Sequence, residues 1–69
     1  MSIMLTVNGE KRDCSAGTLA ALLAQMGIDA TQPGIAVACN GGMVRRSEWA
    51  GQKLSTGDNI EVIRPVMGG

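Results

Sequence analysis

The first residues of the chain alternate between apolar and polar positions, which is typical of a β-strand buried on one face. The apolar face of this strand is formed by Ile3, Leu5 and Val7. Met4 and Thr6 fall on the opposite face. Asn8-Gly9 follows at once, and this dipeptide favours a type I′ hairpin turn because both central residues of that turn need positive φ. We therefore expect a β-hairpin whose second, more polar strand covers residues 10–14.

A helical period replaces the alternation between residues 18 and 27. Apolar side chains recur there at i, i+3, i+4 and i+7, on Leu19, Leu22, Leu23 and Met26. Thr18 is a suitable N-cap, and Gly27 stands where a helix ends in a left-handed residue, with Ile28 placed to make the apolar contact of that cap. A helix of about nine residues is too short to be stable alone. Its apolar stripe must therefore pack on a sheet.

Residues 34–40, with the sequence GIAVACN, are apolar and β-branched enough to predict a buried central strand. Asn40-Gly41-Gly42 then forms a turn. A short partner strand begins at Met43 and Val44. The segment RRSEWAGQKL that follows has no clear period, and we expect it to cross the surface with Trp49 covering the edge of the core.

The sequence NIEVIRP predicts the last strand of the sheet. Ile60 and Val62 fall on one face of this strand, and Ile63 falls on the other. Pro65 ends it, because proline cannot donate to a sheet ladder. The order of elements predicts an α+β fold, a mixed sheet of about four to five strands with one main helix on one face. We expect this domain to cover residues 1–65 and a flexible C-terminal tail to cover residues 66–69.

The composition excludes several kinds of chemistry. The chain has no histidine, which removes the usual general base and the commonest metal ligand. Cys14 and Cys39 are too far apart for a redox Cys-x-x-C pair and too few for a zinc site. We expect both to be free thiols in a reducing cytosol, and we expect no metal site.

The net charge, the aromatic content and the absence of targeting patterns indicate which partners and which compartment to expect. The formal net charge is zero, and Trp49 is the one aromatic residue, so the sequence predicts neither a nucleic-acid surface nor a base-stacking platform. Arg45 and Arg46 are interpreted as a solvated pair. The chain shows no signal peptide and no membrane-spanning run, and we expect a cytoplasmic, monomeric domain.

Several segments, taken in order, resemble the ThiS family of thiamine-pathway sulfur carrier proteins, which have a ubiquitin-like β-grasp fold. These segments are LTVNGE, GTLAALLAQMGI, GIAVACNG, RSEWA and GDNIEVIRPVMGG. The resemblance extends over the whole chain. It implies that the protein is a sulfur carrier and not an enzyme, and that the sulfur is held on the C-terminal glycine.

The resemblance also implies a reaction and its partners. An E1-like adenylyltransferase of the ThiF type would adenylate Gly69, a cysteine-desulfurase-derived donor would convert it to a thiocarboxylate, and a thiazole synthase of the ThiG type would take the sulfur. ATP and Mg²⁺ would belong to the partner, since the glycine-rich segments here lack the Lys-Ser/Thr of a phosphate loop. Val66, Met67, Gly68 and Gly69 would enter the partner's tunnel. On the exposed sheet face, Met4, Thr6 and Ile63 are candidate docking residues.

Three other functions fit parts of the same pattern. The small subunit of molybdopterin synthase shares the fold and the diglycine ending but has a different client, and the short length and RSEWA favour the thiamine branch. A ubiquitin-like modifier would join Gly69 to a lysine. A plain interaction module would not use the diglycine at all.

Overall fold

The chain begins with the predicted β-hairpin. In the computed structural model, which describes residues 2–65, strand β1 spans Ile3–Val7 and pairs antiparallel with strand β2, Glu10–Cys14. Asn8 and Gly9 have φ of 52° and 84°, which confirms a turn with positive φ at both central residues. Cys14 is buried, and the rest of β2 is exposed.

The single α-helix of residues 2–65, α1, spans Leu19–Gln25. Thr18 is its N-cap, as predicted, and its Oγ1 accepts a hydrogen bond of 3.3 Å from the Ala21 N–H. At the other end the N–H of Ile28 donates to the carbonyl of Leu23 at 2.9 Å, and Gly27 has φ of 76°. These features are a Schellman cap. The helix is shorter than predicted because Met26 is already its C-cap.

Within the described residues, five strands form one mixed sheet in the order β2-β1-β5-β3-β4. The remaining strands are β3, Ala36–Cys39; β4, Gly42–Val44; and β5, Asn59–Ile63. β5 pairs parallel with β1 and antiparallel with β3. The middle strand of the sheet is therefore β5. β3 is paired on both sides, with β5 and with β4, so it is an interior strand, as predicted for residues 34–40. Local apolarity shows that a strand is buried, but not which partners it takes.

The core lies between α1 and the inner face of the sheet. It contains three residues of the predicted helical stripe, with Met26 partly buried against them, and the inward residues of β1 and β5. The buried members are Leu19, Leu22, Leu23, Leu5, Val7, Ile60 and Val62. β1 and β5 contribute alternate positions to this core, as the pleat of a sheet requires.

Trp49 is a member of this core, and the expectation that it covers only the core edge is wrong. Its side chain is 2% exposed. A turn of 3-10 helix, Arg46–Glu48, turns the chain inward so that the indole enters the core. Arg46 is also more than a solvated cation, because its guanidinium lies 4.6 Å from the centre of the Trp49 ring and donates to the Gln32 carbonyl at 2.6 Å. That position allows a cation–π contact.

Candidate functional site

The described part of the chain ends two residues after β5, where the chain has left the sheet. β5 ends at Ile63, and Arg64 and Pro65 follow as exposed residues. The predicted tunnel residues Val66, Met67, Gly68 and Gly69 lie outside the described residues. The structure therefore defines the point from which the chain continues toward the diglycine.

Pro65 packs against the loop that precedes β3. A Cβ placed on Gly34 would lie 3.2 Å from Cγ of Pro65, and Gly34 has φ of 87°. Both the positive φ and the close approach favour glycine at this position. The loop therefore provides a contact for the proline that a larger residue would disturb.

The predicted docking residues all lie on the outer face of the sheet, which faces away from α1. Ile63 is 62% exposed and Met4 is 46% exposed, while Thr6 is half-buried. Thr6 pairs with Asn59, so Ile63 lies about 13 Å further along the sheet. Met4 lies two residues from Thr6 in the opposite direction, and so about 20 Å from Ile63 along the strands. The structure places the three residues on one face but does not bring them into one patch.

Ile63 has apolar neighbours on β3 and β4 on the outer face, where the exposed Glu61 borders them because it pairs with Ala38. Ile63 pairs with Ala36, and Ala38 pairs with Met43. Met43 is 72% exposed, and two small alanines lie between it and Ile63. We call these four residues the exit patch, because they lie beside the end of β5. The sequence analysis did not select Met43, although its position one residue before the buried Val44 places it on the outer face.

The cysteines are in unlike surroundings. Cys14 is 1% exposed, and its Sγ lies 3.6 Å from Oε1 of Gln25 and 3.3 Å from the N–H of Ala16. Cys39 is half-buried, not fully buried as its strand predicted. Burial raises the pKa of the Cys39 thiol, and the negative charge of Asp58 raises it further. Cys39 is therefore protonated at neutral pH and is a weak nucleophile.

Two features of residues 2–65 bear on cofactor binding, the grouping of metal-ligating side chains and the hollows of the surface. Over residues 2–65, no three histidine, cysteine or acidic side chains come together as metal ligands. A hollow of about 140 Å³ lies beside the hairpin turn, among Val7, Asn8, Glu10, Lys11, Arg12 and Met26. Ligand pockets usually measure about 300 Å³ or more, so this hollow is smaller than such a pocket, whereas a second, more open hollow of about 310 Å³ lies among Ser47, Glu48, Gly51 and Gln52. In the same part of the chain, no helix has the length and apolarity needed to cross a bilayer.

The likeness to known proteins decides the family. A sequence profile described as the ThiS family matches residues 5–69. The chain belongs to the ThiS family. The match includes Gly68 and Gly69 as well as the whole sheet from Leu5 onward, and it confirms the resemblance predicted from the sequence.

A solved structure of the same family gives the fold. The crystal structure of a thiamine biosynthesis protein (ThiS) from Geobacter metallireducens superposes with a TM-score of 0.78, covering 97% of this chain and 100% of that one at 24% sequence identity. The fold is accordingly the ubiquitin-like β-grasp of the ThiS family, as predicted. The five-stranded order found over residues 2–65 is the form that this fold takes here.

A curated relative is much longer than this chain. A thiazole synthase from Paramagnetospirillum magneticum is 36% identical over 66 residues, which cover 94% of this chain and 20% of that protein. This chain therefore spans about a fifth of the length of that relative. The likeness is between the ThiS-family chain and one part of the longer protein.

Proposed function

We propose that this protein is a sulfur carrier of thiamine biosynthesis in which the carboxyl group of Gly69 is the acceptor. The observation that carries the proposal is the ThiS-family match, which runs through Gly68 and Gly69. The protein would act as a co-substrate of its partner enzymes and would not itself be a catalyst.

The chemistry begins with activation of the carboxyl group. An α-carboxyl has a pKa of about 3.5, so Gly69 carries a carboxylate, which is a poor electrophile. One of its oxygens attacks the α-phosphorus of ATP, pyrophosphate leaves, and an acyl adenylate forms. A sulfide equivalent then attacks the acyl carbon and AMP leaves, giving the thiocarboxylate. An E1-like adenylyltransferase of the ThiF type would provide the ATP and Mg²⁺ site.

The client enzyme would be a thiazole synthase. The support is the likeness of this chain to one part of a protein named thiazole synthase. A cysteine-desulfurase-derived donor would supply the sulfur. The glycines suit a tail that enters an enzyme, because residues without side chains let the walls of a passage approach the main chain.

The sheet face would dock the partner. Threading the tail orders its backbone at a cost of about 1–2 kcal/mol per residue, so contacts of the folded domain must supply binding energy. The exit patch is suited to this because Ile63 and Met43 are exposed apolar side chains beside the end of β5. Met4 and Thr6 would contribute at the far end of the same face.

The raised pKa of Cys39 supports a carboxyl acceptor over a cysteine persulfide. Burial and the charge of Asp58 both disfavour the thiolate that would attack a sulfur donor. Cys14 is 1% exposed, which restricts the access of a donor to its sulfur.

Intact mass spectrometry of the protein isolated from its own cells tests the proposal. We expect a species in which one oxygen is replaced by sulfur, and fragmentation should place the change on Gly69. The sulfur should remain after treatment with a thiol reductant, whereas a cysteine persulfide would lose it. Conjugates of high mass joined to lysines would instead indicate a modifier, and a chain without any added sulfur under thiamine starvation would contradict the carrier function.

A further inference from the structure

Two Asn-Gly turns hold the two ends of β5 with their asparagine side chains. Asn8-Gly9 and Asn40-Gly41 have the same backbone geometry, with φ of 52° and 84° in each. In both turns the asparagine side-chain oxygen accepts a hydrogen bond of 2.8 Å from a β5 main-chain N–H. Asn8 bonds Val62 in this way, and Asn40 bonds Asn59.

Asn8 continues the parallel ladder after β1 has ended. Its main-chain N–H donates to the Ile60 carbonyl at 2.9 Å, as in an ordinary parallel ladder. The next bond of such a ladder would join the Val62 N–H to the main-chain carbonyl of residue 8. Here the side-chain Oδ1 of Asn8 accepts it, and Nδ2 of the same amide donates to the Val62 carbonyl at 3.2 Å. One side-chain amide therefore satisfies both main-chain groups of Val62.

This arrangement lies next to the exit of the chain from the sheet. Val62 is followed by Ile63, the last residue of β5, and then by Arg64 and Pro65. Pro65 makes the second contact, against Gly34, where a Cβ would come within 3.2 Å of its ring. In the segment 62–65, Val62 is held by hydrogen bonds to Asn8, Ile63 by its pairing with Ala36, and Pro65 by packing against Gly34.

We propose that Asn8 and Gly34 form an exit clamp, a pair of positioning residues that sets the direction in which the chain leaves β5 and so aligns the acceptor carboxyl in the partner's active site. The inference rests on the proposed function, because the clamp has a role in catalysis only if the carboxyl group of Gly69 is the acceptor. A reacting group displaced by about 1 Å can lose on the order of a hundredfold in rate. The clamp would act on the transfer step through the main chain, without touching the reacting atoms.

The chain supplies a matched control for each half of the clamp. Asn8→Gly keeps a Gly-Gly type I′ turn but removes the amide that holds Val62. Asn40→Gly makes the same change in the same turn geometry at the opposite end of β5. Gly34→Ala adds a Cβ against Pro65, while Gly57→Ala adds one at φ of 93° with nothing within 4 Å. Both alanine variants therefore carry the strain of a positive φ, but only Gly34→Ala also brings a Cβ against Pro65.

The experiment measures adenylation of each full-length variant by the ThiF-type enzyme as pyrophosphate release, at a temperature where circular dichroism shows all variants folded. We expect kcat to fall by about tenfold or more for Asn8→Gly and Gly34→Ala relative to their controls, with KM little changed because the docking face is intact. A purely structural role would lower the activity of Asn40→Gly and Gly57→Ala as well. Loading of either clamp variant within about twofold of its control would overturn the proposal.

Amide hydrogen exchange gives a readout that does not depend on sulfur chemistry. The Val62 amide should exchange faster in Asn8→Gly than in the unmodified protein and in Asn40→Gly, because it loses its acceptor. If the unmodified protein is not adenylated, the proposed function fails. The exchange rate of the Val62 amide then tests by itself whether Asn8 holds the end of β5. A Val62 amide that exchanges equally slowly in Asn8→Gly and in the unmodified protein would overturn it.

Discussion

The indole of Trp49 makes one buried hydrogen bond to Val44, the last residue of β4. Its Nε1 donates to the carbonyl of Val44 at 2.9 Å, and its own carbonyl accepts from the N–H of Ala20 in α1 at 3.0 Å. Trp49 thus connects the edge of the sheet to the helix. The segment before it, which has no clear period in sequence, is positioned by these bonds.

Trp49→Phe should destabilise the domain. Phenylalanine retains most of the apolar contact but leaves the Val44 carbonyl unpaired, at a cost of about 1–3 kcal/mol. Urea unfolding followed by circular dichroism measures the loss. Arg46→Ala, which removes the guanidinium that lies over the ring, should cost less because Arg46 itself is exposed to solvent. Equal stability of Trp49→Phe and the unmodified protein would mean that the hydrogen bond contributes nothing.

Leu22→Asp should unfold the domain or nearly so. Leu22 is fully buried in the middle of α1, and an unpaired carboxylate in its place would face the sheet, so we expect a loss of more than about 3 kcal/mol. Ala24→Asp on the exposed side of the same helix is the control for helix propensity. Similar urea midpoints for the two variants would show that the assigned packing face of α1 is wrong.

Cys39 should be slow to alkylate at neutral pH. Its folded pKa is raised by burial and by Asp58, so the thiolate should form only above the ordinary range. The stability that this preference contributes is present below the pKa of the unfolded thiol and is lost as pH rises through the folded pKa. The pH dependence of iodoacetamide labelling in Cys14→Ala measures the folded value, and the same protein in urea gives the reference. A folded midpoint at or below the unfolded one would contradict the assignment.

Ile63→Asp should weaken docking of the partner. The substitution puts a charge into the exit patch without disturbing the core, because Ile63 is 62% exposed. We expect KM for adenylation to rise by about tenfold, with the urea midpoint unchanged. Met4→Asp makes the same change at the far end of the outer face and should have a smaller effect. If Met4→Asp raises KM as much as Ile63→Asp, the docking surface extends over the whole face.

Local patterns predicted most of the elements but not their arrangement. The hairpin at Asn8, the cap at Thr18 and the inward side of β5 each depend on a few neighbouring residues, and the structure confirms them. The hydrogen bond from Val62 to Asn8 joins residues 54 positions apart. Strand pairing of this kind is not encoded in a short window, which is why the sequence did not predict the order of the strands in the sheet.

The candidate site was predictable to a similar extent. Ile63 and Met4 could be placed on the exposed face from alternation alone. Met43 and Gly34 could not be connected with the end of β5, because their neighbours Ala38 and Pro65 are fixed by tertiary pairing and packing. The residues of the tail itself lie outside the described part of the chain, so their role stays a prediction.

Loading of sulfur by three forms of the protein tests the central claim most directly. The forms are the unmodified protein, the double variant Cys14→Ala with Cys39→Ala, and a protein with one alanine added after Gly69. Each is incubated with the ThiF-type enzyme, ATP, Mg²⁺ and a sulfide source, and intact mass is recorded. The carboxyl account predicts that the first two gain sulfur, while the third gains none because its carboxyl is displaced by about 3.5 Å. Sulfur on the extended protein, or its loss from the double variant, would contradict Gly69 as the acceptor.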